Sequence, residues 1–194
     1  MYTKVNTPPD KKIRKLEEEL TKKKEQLSAL RKTIPQEEMP DYIFEDRNGK
    51  KIKFSKLFGK KKEMILIQNM GKACPYCTLW ADGFNGLTDH LENRAAFVLV
   101  SSDEVKTQKA FADSRGWKFK MVSSKNNTFK KDLNFEGEKG DFFPGVCVFT
   151  IDDEGKIFLH TKAGFGPGDN FCNAWDLFDL LPGGAGKWSP KYVY

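Results

Sequence analysis

Histidine and cysteine are scarce in this sequence, which contains two His and four Cys among 194 residues. A structural zinc site needs a tetrahedral set of thiolate or imidazole ligands. The sequence contains a single C-x-x-C pair, Cys74 and Cys77, and neither His90 nor His160 stands at a ligand spacing from it. We therefore expect no metal site within one chain, although a cluster shared between two subunits stays open.

Long apolar runs are also missing. Residues 1–9 contain no apolar signal region, and no later run is long enough to span a bilayer. Four cysteines without a secretory signal argue against a structural disulfide framework. We therefore expect a soluble cytoplasmic protein with no membrane partner, whose thiols are kept reduced.

The net charge of +6 is carried by one part of the chain. Residues 1–62 hold 18 of the 33 Lys and Arg residues but only 10 of the 27 Asp and Glu residues, so the remainder is slightly acidic. The basic runs at 22–24 and 60–62 have no interleaved aromatic residues and match no nucleic-acid-binding motif. Such runs are typical of solvated faces, and we expect no nucleic-acid partner.

An amphipathic helix is predicted near the N-terminus, over residues 11–33, with Asp10 as its N-cap and Pro35 beyond its end. Apolar side chains occupy heptad a and d positions, and Lys23 is the single polar residue on that seam. This pattern divides the chain into a helical extension over 1–38 and a folded domain over 39–194. The seam could dock on the domain, on a partner subunit or on a second copy, as a homodimer. Its members are Ile13, Leu16, Leu20, Leu27, Leu30 and Ile34.

The domain is predicted to alternate strands and helices. The expected elements are a hairpin over 41–54, a short helical turn over 55–58, a strand over 63–69, a helix over 74–94, a strand over 95–101, a helix over 103–115, a short strand over 117–122, a short helix over 127–133, a hairpin over 146–160 and a helix over 170–181. We expect Gly83 and Gly86 to kink or interrupt the helix that contains them. This order predicts an α/β fold, with a mixed central sheet covered by helices on both faces.

The stretch with evident chemistry is Cys74-Pro75-Tyr76-Cys77, between the strand over 63–69 and the next helix. A thiol at a helix N-terminus meets the positive end of the helix dipole, which favours its thiolate, and Lys72 could add to this effect. Pro75 suits a first helical turn, and Tyr76 could tune the redox potential by packing. We therefore predict thiol–disulfide exchange, with Cys74 as nucleophile and Cys77 as resolving thiol. The partners would be a protein or small-molecule disulfide and a thiol reductant, and no organic cofactor is required.

Several separated motifs carry a family resemblance. They are the segment 69–84, Ser114-Arg115-Gly116-Trp117, Val122-Ser123-Ser124, Phe143-Pro144-Gly145-Val146 and the segment 166–182. From Met39 onward the chain resembles the bacterial thioredoxin-like family called domain of unknown function 899, related in layout to the alkyl hydroperoxide reductase and thiol-specific antioxidant group. The resemblance implies a three-layer thioredoxin-like fold with an added N-terminal hairpin, and dithiol–disulfide oxidoreductase activity. It also implies that Phe143-Pro144 forms a cis-proline site, where the substrate backbone pairs beside the reactive sulfur.

Two alternatives differ in what the cysteine pair would do. In a redox sensor or interaction module, a 74–77 disulfide would switch binding through the basic N-terminal helix without turnover. In a thiol peroxidase, the attacking cysteine would follow a Thr or Ser by three residues in a proline-led loop. Gly71 stands at that place before Cys74, and peroxide reduction is accordingly the lesser alternative.

The use of glutathione is a further open point. The Cys-Pro-Tyr-Cys sequence is compatible with a glutaredoxin-like use of glutathione. The glycines at 166 and 168 could offer backbone N–H groups to a glutathione carboxylate. However, Phe143 rather than a hydroxyl residue precedes Pro144. Cys147 and Cys172 stand in apolar surroundings, and we expect both to be buried as small hydrophobic side chains.

Overall fold

The computed structural model describes residues 10–194, in two compact units that meet in sequence at Pro35 and Gln36. In the first unit, helix α1 spans Lys11–Arg31. It begins as predicted, because the Asp10 carboxylate accepts the Lys12 N–H at 2.8 Å. All six apolar side chains of its heptad seam are exposed. In the described part of the chain, no helix has the length and apolar composition that crossing a bilayer requires.

The second unit is built on one mixed sheet, which has eight strands among the described residues. The elements are β1 Glu37–Met39, β2 Ile43–Asp46, β3 Lys51–Lys53, α2 Phe54–Leu57, β4 Glu63–Gln68, α3 Pro75–Arg94, β5 Ala96–Ser101, α4 Val105–Arg115, β6 Lys120–Ser123, α5 Phe129–Asp132, β7 Gly145–Ile151, β8 Ile157–Gly164 and α6 Asn173–Asp179. The strand order in the sheet is β1-β8-β7-β4-β5-β6-β2-β3. β4, β5 and β6 are parallel, and the other neighbours are antiparallel. This confirms the predicted α/β fold.

The hydrophobic core lies in two layers, one on each face of the sheet. Alternate residues of a strand point to opposite faces, and along β4 Leu66 joins one buried cluster whereas Ile67 joins the other. Helices α2 and α5 supply Phe54 and Phe129 to the first cluster. Helices α3 and α4 supply residues such as Ala81 to the second. The sheet is therefore the middle of three layers.

Two features of the fold differ from expectation. Strand β1 was not predicted, and it adds an edge by pairing Glu37 with Leu159 of β8. Helix α3 runs without interruption through Gly83 and Gly86, so the predicted interruption is wrong, whereas a kink at these glycines stays a prediction. A glycine in a helix interior costs only about 0.5–1 kcal/mol relative to alanine. Buried packing by other α3 residues, such as Trp80 at 3% exposure, outweighs that cost.

The register of the central strands places the Cys74 region. Gln68, the last residue of β4, pairs with Val100 of β5 on one side and with Gly145 of β7 on the other. The turn that follows β4 therefore emerges from the middle of the sheet. Pro144, directly before β7, lies beside it for the same reason.

Candidate active site

The turn that joins β4 to α3 is held by one hydrogen bond within the turn and by others from distant parts of the chain. The Asn69 side-chain oxygen accepts the Gly71 N–H at 2.7 Å, and the Asp103 carboxylate accepts the Lys72 N–H at 2.8 Å. The Tyr192 hydroxyl donates to the Lys72 carbonyl at 2.9 Å. Gly71 has φ +111°, and a Cβ there would lie 2.8 Å from Asp103 Oδ1. The turn therefore requires glycine at this position.

Cys74 is the N-cap of α3, with Pro75 at the first helical position, as predicted. Its Sγ accepts the Cys77 N–H at 3.1 Å. The pKa of Cys74 is lowered to about 7, first because the Cys77 thiol donates to it, and then because the backbone N–H groups of Cys77 and Tyr76 do. Burial opposes these effects. Roughly half of the Cys74 thiols are therefore ionised at pH 7.

Cys77 is buried one helical turn further along, at 2% exposure. Its hydrogen bond to Cys74 and its burial raise the pKa of the Cys77 thiol far above the ordinary value. The Met70 N–H donates to Cys77 Sγ at 3.5 Å. The two sulfur environments push the two pKa values apart, which suits one thiol to be an attacking thiolate and the other a protonated partner. The structure brings the two predicted catalytic residues into direct contact.

Aromatic rings pack around the cysteine pair. The Tyr76 ring centroid lies 6.2 Å from those of Trp80 and Trp175. Tyr76 therefore packs at the helix start, as the sequence suggested. Cys172 is buried in the same apolar cluster as Cys77.

The remaining cysteines are buried, as predicted. Cys147 lies fully within the core on β7, and burial raises its pKa to about 12. Burial is also the main reason why the pKa of Cys172 is raised. Over residues 10–194, no group of three or more His, Cys, Asp or Glu side chains could hold a metal ion.

A buried lysine beside the turn was missed from sequence. Lys130, on α5, is 1% exposed, and its Nζ donates to the Asn69 carbonyl at 2.8 Å and to Gln68 Oε1 at 3.3 Å. Burial lowers the pKa of Lys130 to about 8. The Gln68 amide in turn donates to Cys147 Sγ at 3.8 Å. Lys130, Lys131 and Asp132 form a short charged run, which is typical of a solvated position. The signal that could have located Lys130 was the polar pair Gln68-Asn69 after an apolar strand.

The predicted cis-proline is wrong. In the described part of the chain every peptide bond is trans, including Phe143–Pro144. The Phe143 N–H donates to the Phe135 carbonyl at 2.9 Å, and the Pro144 carbonyl accepts the Phe165 N–H at 2.9 Å. Both backbone groups are thus satisfied with the trans bond, which X–Pro pairs favour by about 0.5–1 kcal/mol.

Lys72 also differs from its predicted role beside the Cys74 thiolate. Lys72 is exposed, and its backbone makes its contacts to the site. The Lys72 N–H donates to the Asp103 carboxylate, and the Lys72 carbonyl accepts the Tyr192 hydroxyl. The groups that lower the Cys74 pKa belong instead to Cys77 and Tyr76. Lys72 therefore shapes the turn through its peptide groups.

Comparison with known proteins gives a consistent set of relatives. The family described as bacterial protein of unknown function (DUF899) matches residues 10–193. Chloroplastic peroxiredoxin Q from Populus jackii is 25% identical over 143 residues, which cover 73% of this chain and 66% of the relative. A putative peroxiredoxin bcp from Coxiella burnetii is 29% identical over 124 residues, 61% of this chain and 81% of the relative. The match spans less than two thirds of several plant relatives, for example 59% of the Arabidopsis thaliana peroxiredoxin Q.

Solved structures show the same fold. Peroxidoxin BcpB from Mycobacterium tuberculosis superimposes with a TM-score of 0.52 at 25% identity, over 63% of this chain and 80% of that one. A cysteine-to-serine mutant of PrxQ from Xylella fastidiosa gives a TM-score of 0.57 at 16% identity, over 69% of this chain and 87% of that one. The thioredoxin-like architecture implied by the sequence motifs is thereby confirmed.

Proposed function

Because the chain belongs to the family described as bacterial protein of unknown function (DUF899), and because it is similar to peroxiredoxins, we propose that it is a thiol-dependent redox enzyme. The observation that carries the proposal is the contact between Cys74 and Cys77. The Cys77 N–H lies 3.1 Å from Cys74 Sγ, and the pair combines a lowered pKa at Cys74 with a raised one at Cys77. This is the arrangement that a nucleophile and its resolving thiol need.

With a disulfide substrate, the Cys74 thiolate attacks one sulfur, forms a mixed disulfide and expels the other sulfur as a thiolate. Cys77 then loses its proton and attacks Cys74 Sγ, which releases the second substrate thiolate and leaves a 74–77 disulfide. Two equivalents of an external thiol return the pair to the reduced state. We propose the cytoplasm as the compartment, since thiols are kept reduced there.

With a peroxide substrate, the Cys74 thiolate attacks one oxygen and breaks the O–O bond. Cys74 becomes a sulfenic acid, and the leaving oxygen takes a proton to become an alcohol or water. Cys77 condenses with the sulfenic acid to give the same 74–77 disulfide and water. The names of the relatives favour this second candidate, although Gly71 occupies the place, three residues before Cys74, where a thiol peroxidase would have Thr or Ser.

Turnover assays separate the two reactions. Dithiothreitol-driven consumption of hydrogen peroxide is compared with reduction of insulin disulfides by the same protein. We expect Cys74→Ser to abolish either activity and Cys77→Ser to trap a mixed disulfide or sulfenic acid at Cys74. Cys172→Ala is the matched control and should retain turnover. A wild type that turns over neither substrate, yet changes its oligomeric state on oxidation, would establish the sensor alternative.

We also propose that α1 pairs in parallel with α1 of a second copy. In such a pair, each g position faces the e position five residues further along the other helix. Lys12 then faces Glu17, and Glu19 faces Lys24, so both contacts join opposite charges. The exposed heptad seam supplies the apolar contact. Lys23 would face its own copy at a d position, which weakens the pair.

A further inference from the structure

Lys130 has no role in the steps above, yet it lies at the base of the site. Burying an ammonium group costs free energy unless its hydrogen bonds are satisfied. Here Nζ binds the Asn69 carbonyl and Gln68 Oε1, and it lies 5.6 Å from the centre of the Phe142 ring. A buried cation that is retained beside a reactive thiol pair has the character of a functional group.

One peptide group connects Lys130 to the resolving thiol. Its carbonyl, from Asn69, accepts the Lys130 ammonium at 2.8 Å. Its N–H, from Met70, donates to Cys77 Sγ at 3.5 Å. A cation at the carbonyl oxygen draws electron density from the amide and makes the N–H a stronger donor. The Asn69 side chain also holds this segment against α3, because its amide donates to the Cys77 carbonyl at 3.4 Å.

We propose that Lys130 is a positioning residue that stabilises the Cys77 thiolate through the Asn69–Met70 peptide and so speeds reduction of the 74–77 disulfide. The inference rests on the proposed function. An external thiolate attacks the more accessible Cys74 sulfur, a new S–S bond forms, and the Cys74–Cys77 bond breaks. The electron pair of the broken bond goes to Cys77 Sγ, where negative charge appears as the bond breaks.

The charges around Lys130 support this role. Cys77, Cys147, Glu136 and Asp103 all raise the pKa of Lys130 and so oppose the effect of burial. The net effect leaves the pKa of Lys130 at about 8 in the reduced protein, and the contribution of Cys77 is absent once Cys77 is part of the disulfide. Lys130 in return lowers the pKa of Cys77. Thiolate formation at Cys77 and protonation of Lys130 thus stabilise each other.

The test is the rate at which dithiothreitol reduces the oxidised protein, followed by stopped-flow tryptophan fluorescence. Lys130→Met keeps the length of the side chain and removes its charge. We expect its rate constant to fall about tenfold, as for the loss of one charge-assisted hydrogen bond. Lys131→Met is the matched control, since Lys131 is exposed on the same helix, and its rate should stay within about twofold of the wild type. A folded Lys130→Met protein that is reduced at the wild-type rate would overturn the inference.

The wild type supplies a second measurement if Lys130→Met does not fold. Its rate constant, corrected for the thiolate fraction of dithiothreitol, should fall as pH rises up to and through about 8. Lys130 loses its charge over this range, and it does so at or below about 8 because the disulfide lacks the Cys77 thiol that raises its pKa. Cys147 titrates far from this range, since burial raises its pKa to about 12. A corrected rate that is flat through pH 8 would contradict the inference. Failure of the wild type to form a 74–77 disulfide would instead refute the proposed function.

Discussion

The acidity of Cys74 depends most on its neighbour Cys77, and replacing Cys77 tests this. The lowered Cys74 pKa has three favourable causes, of which the Cys77 thiol is the largest and two backbone N–H groups are the others. Cys77→Ala removes the thiol donor and keeps the backbone donors. We therefore expect the Cys74 pKa to rise part of the way from about 7 toward its ordinary value of 9.0.

The size of the effect follows from the thiolate fraction. At pH 7 a thiol with pKa 9.0 is ~1% ionised, whereas Cys74 is roughly half ionised. The nucleophilicity of a thiolate falls as its pKa falls, with a Brønsted coefficient of about 0.4–0.5. Lowering the pKa by about two units therefore makes the thiolate itself about eightfold less reactive. The wild type should therefore react with iodoacetamide about sixfold faster at pH 7 than an ordinary thiol does. Well above pH 9, where both thiols are fully ionised, wild-type Cys74 should react about eightfold more slowly than an ordinary thiol.

The assay is the pH dependence of Cys74 alkylation, quantified by mass spectrometry of the Cys74 peptide. Cys77→Ser is the matched control, because its hydroxyl can still donate to Cys74 Sγ. We expect the midpoint to stay low in Cys77→Ser and to rise in Cys77→Ala. The reasoning is refuted by a wild-type midpoint near 9, or by equal midpoints in the wild type and Cys77→Ala.

Two further predictions concern the turn and helix α1. Gly71→Ala should lower the free energy of unfolding by at least about 1–2 kcal/mol, because of its positive φ and the contact with Asp103. Gly83→Ala, which meets nothing within 4 Å, should raise it by about 0.5–1 kcal/mol; equal denaturation midpoints for the two variants would contradict this. For α1, light scattering should detect dimers that Lys23→Leu strengthens and Glu19→Lys weakens. Monomers for both the wild type and Lys23→Leu at high concentration would exclude the helix pairing.

The sequence was most informative where local rules decide the structure. The C-x-x-C spacing and Pro75 placed both thiols at the start of α3, and this part of the prediction is confirmed by the contact between them. The apolar run Met64-Ile65-Leu66-Ile67 located the core strand that leads to the site. These features depend on residues that are close in sequence, so local spacing and hydrophobic pattern predict them directly.

The long-range contacts of the site could not be predicted from the sequence. Lys130 and Tyr192 lie 61 and 120 residues from the groups they bind in the turn. No local pattern marks a lysine whose burial depends on a distant carbonyl. The cis-proline expectation failed for a similar reason, since the hydrogen bonds of residues 143 and 144 to Phe135 and Phe165 come from other segments.

The contact between Tyr192 and Lys72 also has a consequence for protein synthesis. During translation, Cys74 and Cys77 leave the ribosome long before Tyr192 is added, so the turn cannot yet have all its hydrogen bonds. Until then the turn has its bonds from Asn69 and Asp103 but lacks the one to the Lys72 carbonyl. The contact therefore ties the turn beside Cys74 to a residue 120 positions further along the chain than Lys72, so the last of these hydrogen bonds forms only after Tyr192 has been synthesised.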